Sequence, residues 1–153
     1  MPKTLFDKLP KGALSHMRRN LPNRLVNYLF RNFKTYIRAV KVIHHNILSF
    51  SRIVWPHVVV IDGMIGMEGD GPIDGGPVEL GIAIASADAL KADGAAARAM
   101  GLSPENIGYM AYMQAEGLGD YSLEGLVGET IESVKKDFLM HGCYEVQKEW
   151  RES

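Results

Sequence analysis

The chain is poor in cysteine: Cys143 stands alone among 153 residues. One thiol excludes an internal disulfide and any zinc or iron–sulfur site built from this chain's own cysteines. A reducing, cytoplasmic setting is the default for such a chain. Long apolar runs are lacking as well. None approaches the ~18 residues of a membrane-crossing helix, and the basic first twenty residues hold no apolar central segment of the kind a secretory signal carries. Acidic residues are nearly missing from the first third. Residues 1–50 contain ten Lys/Arg and one acid, Asp7, whereas residues 51–153 contain seven Lys/Arg and seventeen Asp/Glu. A net charge of -1 therefore hides +9 followed by −10.

That split has two readings. The basic segment packs against the acidic remainder of its own fold, or it docks a partner protein, an anionic membrane or a nucleic acid. Tyr28, Phe30, Phe33 and Tyr36 lie among the basic residues, but no RNA-binding signature accompanies them. Membrane and nucleic acid are both disfavoured as partners. The hydrophobic fraction of 46% and mean hydropathy of -0.06 fit one globular domain with a real core.

Hydrophobic spacing divides the chain into a basic segment over 1–34, partly helical or irregular, an α/β domain over 35–135, and a tail over 136–153. Asn20-Leu21-Pro22 has the form of a helix start, with Leu25, Tyr28, Leu29 and Phe33 on one side. From Lys34 to Arg52 apolar Ile37, Val40, Ile43, Ile47, Phe50 and Val54 recur at steps of three or four. Lys34, Arg38, Lys41, His45, Ser49 and Arg52 fill the opposite face, so an amphipathic helix with a cationic stripe is predicted. Trp55-Pro56 ends it. A buried strand follows over His57–Asp62, then a long loop to Glu79, then a second strand over Leu80–Ser86.

Ser86 or Asp88 caps a helix over Ala89–Met100 that exits at Gly101. Its alanines allow close approach to a sheet. Ser103-Pro104-Glu105 opens another helix, with Met110 and Met113 inward, that runs to Glu116 and leaves at Gly117. Leu126–Val127 and Ile131–Val134 read as short strands, and the tail as a terminal helix. The fold class is α/β: a layered sheet of few strands flanked by helices, with basic amphipathic helices at the amino end.

The richest segment is Asp62–Pro77, where glycines alternate with Asp62, Glu68, Asp70 and Asp74. It is no P-loop, since no Gly-Lys-Ser/Thr follows. The spacing of Gly66-Met67-Glu68-Gly69 breaks the dinucleotide fingerprint, and the EF-hand pattern fails as well. Hard oxygen donors on a glycine backbone suit Mg²⁺, Mn²⁺ or Ca²⁺, or carboxylates acting as general bases. The alternative is a solvated loop whose Asp and Gly residues serve turns. At the next strand–helix junction, Ser86, Asp88, Lys91 and Asp93 stand where a helix amino end favours an anion. Plain capping by Asp88 is the competing reading. His44-His45 point about 100° apart on a helix and rarely share one metal. Cys143 has no nucleophile setting and reads as structural.

Val60-Ile61-Asp62-Gly63-Met64-Ile65-Gly66-Met67-Glu68-Gly69-Asp70-Gly71-Pro72 resembles the hallmark of the bacterial and archaeal family called domain of unknown function 362. The resemblance continues through Gly76-Pro77-Val78, Ala83-Ile84-Ala85-Ser86-Ala87-Asp88, Ala92-Asp93 and Met100-Gly101. It closes with Ile107-Gly108-Tyr109 and Glu116-Gly117-Leu118-Gly119, covering roughly residues 35–135. Residues 1–34 match poorly, and family members are usually longer upstream, which implies a shortened relative or a start other than Met1. Many members carry a fused ferredoxin-like module with two four-iron clusters, which implies redox or cofactor work. This chain alone ligates no such cluster, so a partner protein would supply that module or the upstream segment.

The site expected on these grounds has Asp62, Glu68 and Asp70 as catalytic carboxylates. The same three with Asp74 would hold Mg²⁺ or Mn²⁺. Gly66, Gly69, Gly71, Ser86, Asp88, Lys91 and Asp93 would bind a cofactor or small anionic ligand. The rival expectation is a non-catalytic interaction module that docks through basic helices over 18–52.

Overall fold

The computed structural model describes residues 34–151. The helix start at Asn20-Leu21-Pro22 and the division at residue 34 fall on or beyond that boundary. Helix α1 spans Lys34–Ser51, strand β1 Val59–Asp70 and strand β2 Asp74–Ser86. Helix α2 spans Ala89–Ala99, a 3₁₀ turn covers Pro104–Asn106, and helix α3 spans Gly108–Glu116. Two one-turn helices, α4 (Ile131–Val134) and α5 (Tyr144–Gln147), precede a closing 3₁₀ turn at Lys148–Arg151. The domain is α/β: a two-stranded antiparallel hairpin with helices packed against it.

The core lies among the helices. Leu48 of α1, Leu90 and Ala97 of α2, and Met110 and Met113 of α3 form one buried cluster. Trp55, Leu102, Ile107, Tyr109, Leu118 and Tyr121 close around it. Helix α2 supports this arrangement through alanine, whose short side chain lets neighbouring backbones come near. Leu90 is 1% exposed and Ala99 fully buried. Gly94 meets the 119–122 loop so closely that an added Cβ would lie 2.6 Å from Tyr121 Cβ.

Helix α1 is amphipathic, and its buried stripe follows the predicted one at Ile37 and Val40 but departs from it beyond them. Ile37, Val40 and Leu48 are buried. Ile43, Ile47, Phe50 and Val54 are exposed. His44 takes the inward place between Val40 and Leu48, against Gly108 and the rings of Tyr109 and Trp150. The helix has two apolar faces, and periodicity reports only that each exists.

The largest departure concerns Asp62–Glu79. It is strand, not a long loop. β1 and β2 pair from Val59↔Ser86 to Asp70↔Asp74, with one irregularity between Gly63 and Ile65. Only Gly71–Ile73 forms the turn, with a cis Gly71–Pro72 bond. Glycine inside a strand marks close approach. At Gly66 the approach is an aromatic ring, because an added Cβ would fall 2.7 Å from Phe138 Cε2. The remaining corrections are smaller. Residues 103–116 split into a 3₁₀ turn and a helix, since Ile107 is extended between them. Leu126–Val127 is not strand, and Ile131–Val134 is a helical turn capped by Thr130, whose side chain accepts from Ser133 N. The terminal helix is two short turns. No described helix is long and apolar enough to cross a membrane.

Candidate functional site

The hairpin carboxylates lie along the strands rather than around a loop, with Asp62, Glu68 and Asp70 on β1 and Asp74 at the start of β2. Asp62 accepts from Met64 N at 3.0 Å, a local turn-type contact. Glu68 Oε2 accepts from Leu139 N at 2.7 Å, and Gly69 N donates to Leu139 O at 2.7 Å. Asp70 Oδ1 stands 3.8 Å from His141 Nε2, and Asp74 is its partner across the turn. Gly66 and Gly69 thus receive Phe138 and Leu139, while Gly71 begins the turn. Among the described residues no group of three or more His, Cys, Asp or Glu is placed to hold a metal ion. An antiparallel hairpin also lacks the carboxyl-end crevice that an open parallel sheet supplies.

The second cluster gathers at the amino end of α2. Asp88 is the N-cap, with Oδ1 accepting from Leu90 N at 2.8 Å and Lys91 N at 3.3 Å. Its Oδ2 accepts from Asp120 N at 2.9 Å. This carboxylate satisfies donors that an anion would otherwise have met. Ser86 Oγ accepts from Asp88 N at 3.0 Å, and Lys91 Nζ donates to Glu124 O at 2.9 Å with Asp120 Oδ2 at 3.8 Å. Hydrogen bonds from Ser122 hold the Asp120 carboxyl below the usual carboxylate range. A cleft of about 110 Å³ opens beside them, lined by Ser86, Lys91 and Ser122 with Ile84, Ala92 and Leu126 among its apolar walls. That space is well short of the ~300 Å³ at which cofactor pockets begin. Two of the expected ligand-binding residues, Ser86 and Lys91, therefore share one cleft.

Asp93 faces elsewhere. It accepts from the Tyr109 hydroxyl at 2.9 Å. Burial raises the Asp93 pKa and outweighs the opposing hydrogen bond from Tyr109. Burial, and then the neighbouring carboxylate, push Tyr109 far up. His44 lies beside this pair, its ring centroid 6.3 Å from that of Tyr109, and burial lowers its pKa. Its Nδ1 is buried without a hydrogen-bond partner among the described residues. His45 stacks instead on Tyr112, with ring centroids 4.6 Å apart. Sequence reasoning passed over Tyr109, Asp120 and Ser122. The Asp120-Tyr121-Ser122 spacing of an Asx turn was a usable signal for the last two. Nothing local marks Tyr109 as the partner of Asp93.

A family profile described as Domain of unknown function (DUF362) matches residues 7–98. The chain belongs to this family. In DUF362 terms the matched span takes in most of the basic segment, α1, the whole hairpin and nearly all of α2. It begins well inside the region that the motif resemblance had set apart, and it stops before α3. No match was found among curated proteins or among solved structures.

Proposed function

We propose that this DUF362 domain works as a docking module that holds a basic, apolar polypeptide segment against its hairpin. The observation that supports the reading is the composition of the hairpin's open surface. Val58, Val60, Met64, Ile65, Met67 and Ile73 are all exposed there; Val60 is 71% and Ile73 86% accessible. Between Ile53 and Leu90 the chain has no Lys or Arg but carries Asp62, Glu68, Asp70, Asp74, Glu79 and Asp88. Two strands of 12 and 13 residues form the sheet's full described width. A two-stranded sheet is marginal alone, and its edges are templates for a further strand. An acidic surface repels phosphate backbones and anionic lipid, so a polypeptide carrying Lys or Arg between apolar residues is the matching ligand.

The carboxylates open to a ligand are the exposed Asp62, Asp74 and Glu79, because others already serve the fold. Glu68 pins residue 139 and Asp88 caps α2. Amide hydrogen exchange of the full chain tests the proposal, followed over 59–86 with and without an alternating Lys/Val peptide. The hairpin is expected to be slow to exchange alone or to become slow with peptide, and an alternating Glu/Val peptide has no such effect. A hairpin that exchanges fast in both states overturns the reading.

A further inference from the structure

We infer that the outward face of helix α1 joins a second copy of the chain in an antiparallel helix pair centred on Asn46. The inference goes beyond the docking reading, concerns a different surface and stands or falls without it.

Helical spacing comes first. The helical bonding continues past the end of α1, since Arg52 N donates to Leu48 O at 3.1 Å and Val54 N to Phe50 O at 2.9 Å. Ile37, Val40 and Leu48 occupy the inner side. On the outer side Ala39, Ile43, Asn46, Phe50 and Ile53 follow one another at alternating steps of four and three, the heptad spacing of a helix that packs along another helix. All of them are exposed, with Phe50 65% and Ile53 84% accessible. Val42, Ile47 and Val54 widen the stripe, and none of these residues is charged. Such a stripe, on a helix whose other side is already in the core, is a contact surface.

Asn46 decides the occupant. Its amide stands at the middle of the stripe, where an apolar cover such as a lipid surface would strip it of water and return no hydrogen bond. A second α1 running in reverse brings its own Asn46 to the same point, and each amide can donate to and accept from the other. One polar pair in an apolar seam also fixes the register. The same reversal sets Ala39 opposite Ile53 and Ile43 opposite Phe50, which keeps volumes even along the seam. A parallel pair would stack Phe50 on Phe50 and leave a gap between two Ala39 side chains. Charge agrees with the reversal. A parallel pair would bring Arg38 to Arg38 and Arg52 to Arg52. Reversal instead carries Arg38 to the end where the other copy's Arg52 is already neutralised by Glu116, with Nε donating to Oε2 at 2.8 Å.

The area is enough for a specific, weak dimer. Val42, Ile43, Ile47, Phe50, Ile53 and Val54 each leave on the order of 100 Å² of apolar surface open. Two such faces together bury roughly 1,200 Å², the lower bound of specific interfaces.

The test is sedimentation of the full chain from about 1 μM to about 1 mM, where a reversible monomer–dimer equilibrium is expected. Asn46→Asp and Asn46→Lys, each measured alone, should weaken the dimer about tenfold or more, because like charges then face one another. An equal mixture of the two should restore it as a heterodimer, a rescue that requires position 46 to face itself across a two-fold axis. Direction is read by mixing Ala39→Cys and Ile53→Cys chains under mild oxidation, with links between 39 and 53 expected; Cys143 is buried and stays out of the reaction. Links of 39 to 39 and 53 to 53 alone would overturn the antiparallel pair. A chain that stays monomeric throughout would overturn the inference, and if it then binds phosphatidylserine vesicles the stripe is a lipid surface instead. Self-association untouched by Asn46→Asp, or unrescued in the mixture, belongs to another surface and overturns it as well.

Discussion

The helical layer and the hairpin are built to different standards. In the helical layer Leu90, Ala99, Met110 and Met113 are at most 4% exposed, and Arg98 and Trp150 at its edges are hydrogen-bonded. Arg98 Nη1 donates to Gly94 O at 3.1 Å and Tyr121 O at 2.7 Å, and Trp150 Nε1 to Asn106 O at 3.1 Å. The hairpin has no fully buried side chain. Its inward residues, Ile61, Leu80, Ile82 and Ile84, are half-buried, and its outward ones are open. Packing is finished on one side of the domain and open on the other, so the apolar surface whose burial would be favourable is concentrated on the hairpin.

The contrast is sharpest under truncation. Leu90→Ala removes a side chain that is 1% exposed and should cost about 3 kcal/mol of global stability, read as an earlier midpoint in urea with an unchanged slope. Gly66→Ala acts at the seam, where the new Cβ would collide with the Phe138 ring. Its cost should be about 1–3 kcal/mol. Hydrogen exchange should rise selectively at Gly69 and Leu139 while the helical core stays protected. A uniform rise would mean that hairpin and helices unfold as one unit and that the contrast is false.

The smallest effect is a pH dependence within the helical half. Burial holds the His44 pKa below its unfolded value of 6.5, so the folded state disfavours the charged ring. The contribution is fully present above pH 6.5 and is lost as pH falls from there through the folded-state pKa. Thermal melts between pH 7.5 and 5 should show the decline, and His44→Gln should flatten it.

Parts of this architecture are legible in the residues alone. Asp88 before an alanine-rich run marks the start of α2, and Gly101, at φ +79°, sits just past its end. Gly117 closes α3 at φ +71° for the same reason. The hairpin was harder to see. Its glycines read as loop because strand propensity disfavours them, and only Phe138, far along the chain, explains why Gly66 must have no side chain. The inward stripe of α1 is legible at Ile37 and Val40 but not beyond, because its deciding contact, His44 against Gly108, is also distant in sequence. At the site, capping by Asp88 was a local pattern and legible. The Glu68–Leu139 and Asp93–Tyr109 contacts are tertiary and were not.

The segment from Lys136 to Leu139 also bears on the order of folding. Lys136 N donates to Ala99 O and Phe138 N to Met100 O, while Leu139 bonds both Glu68 and Gly69. One short stretch is laced to the end of α2 and to the hairpin together. β1 and β2 are neighbours in the chain, and such hairpins close in about 1–10 μs. The clasp that fastens them spans 71 residues, from Glu68 to Leu139. Loop closure over that distance is slow beside local pairing. During synthesis the hairpin therefore emerges and pairs while its anchor is still unmade, and its apolar face stays open until the segment Lys136–Leu139 arrives.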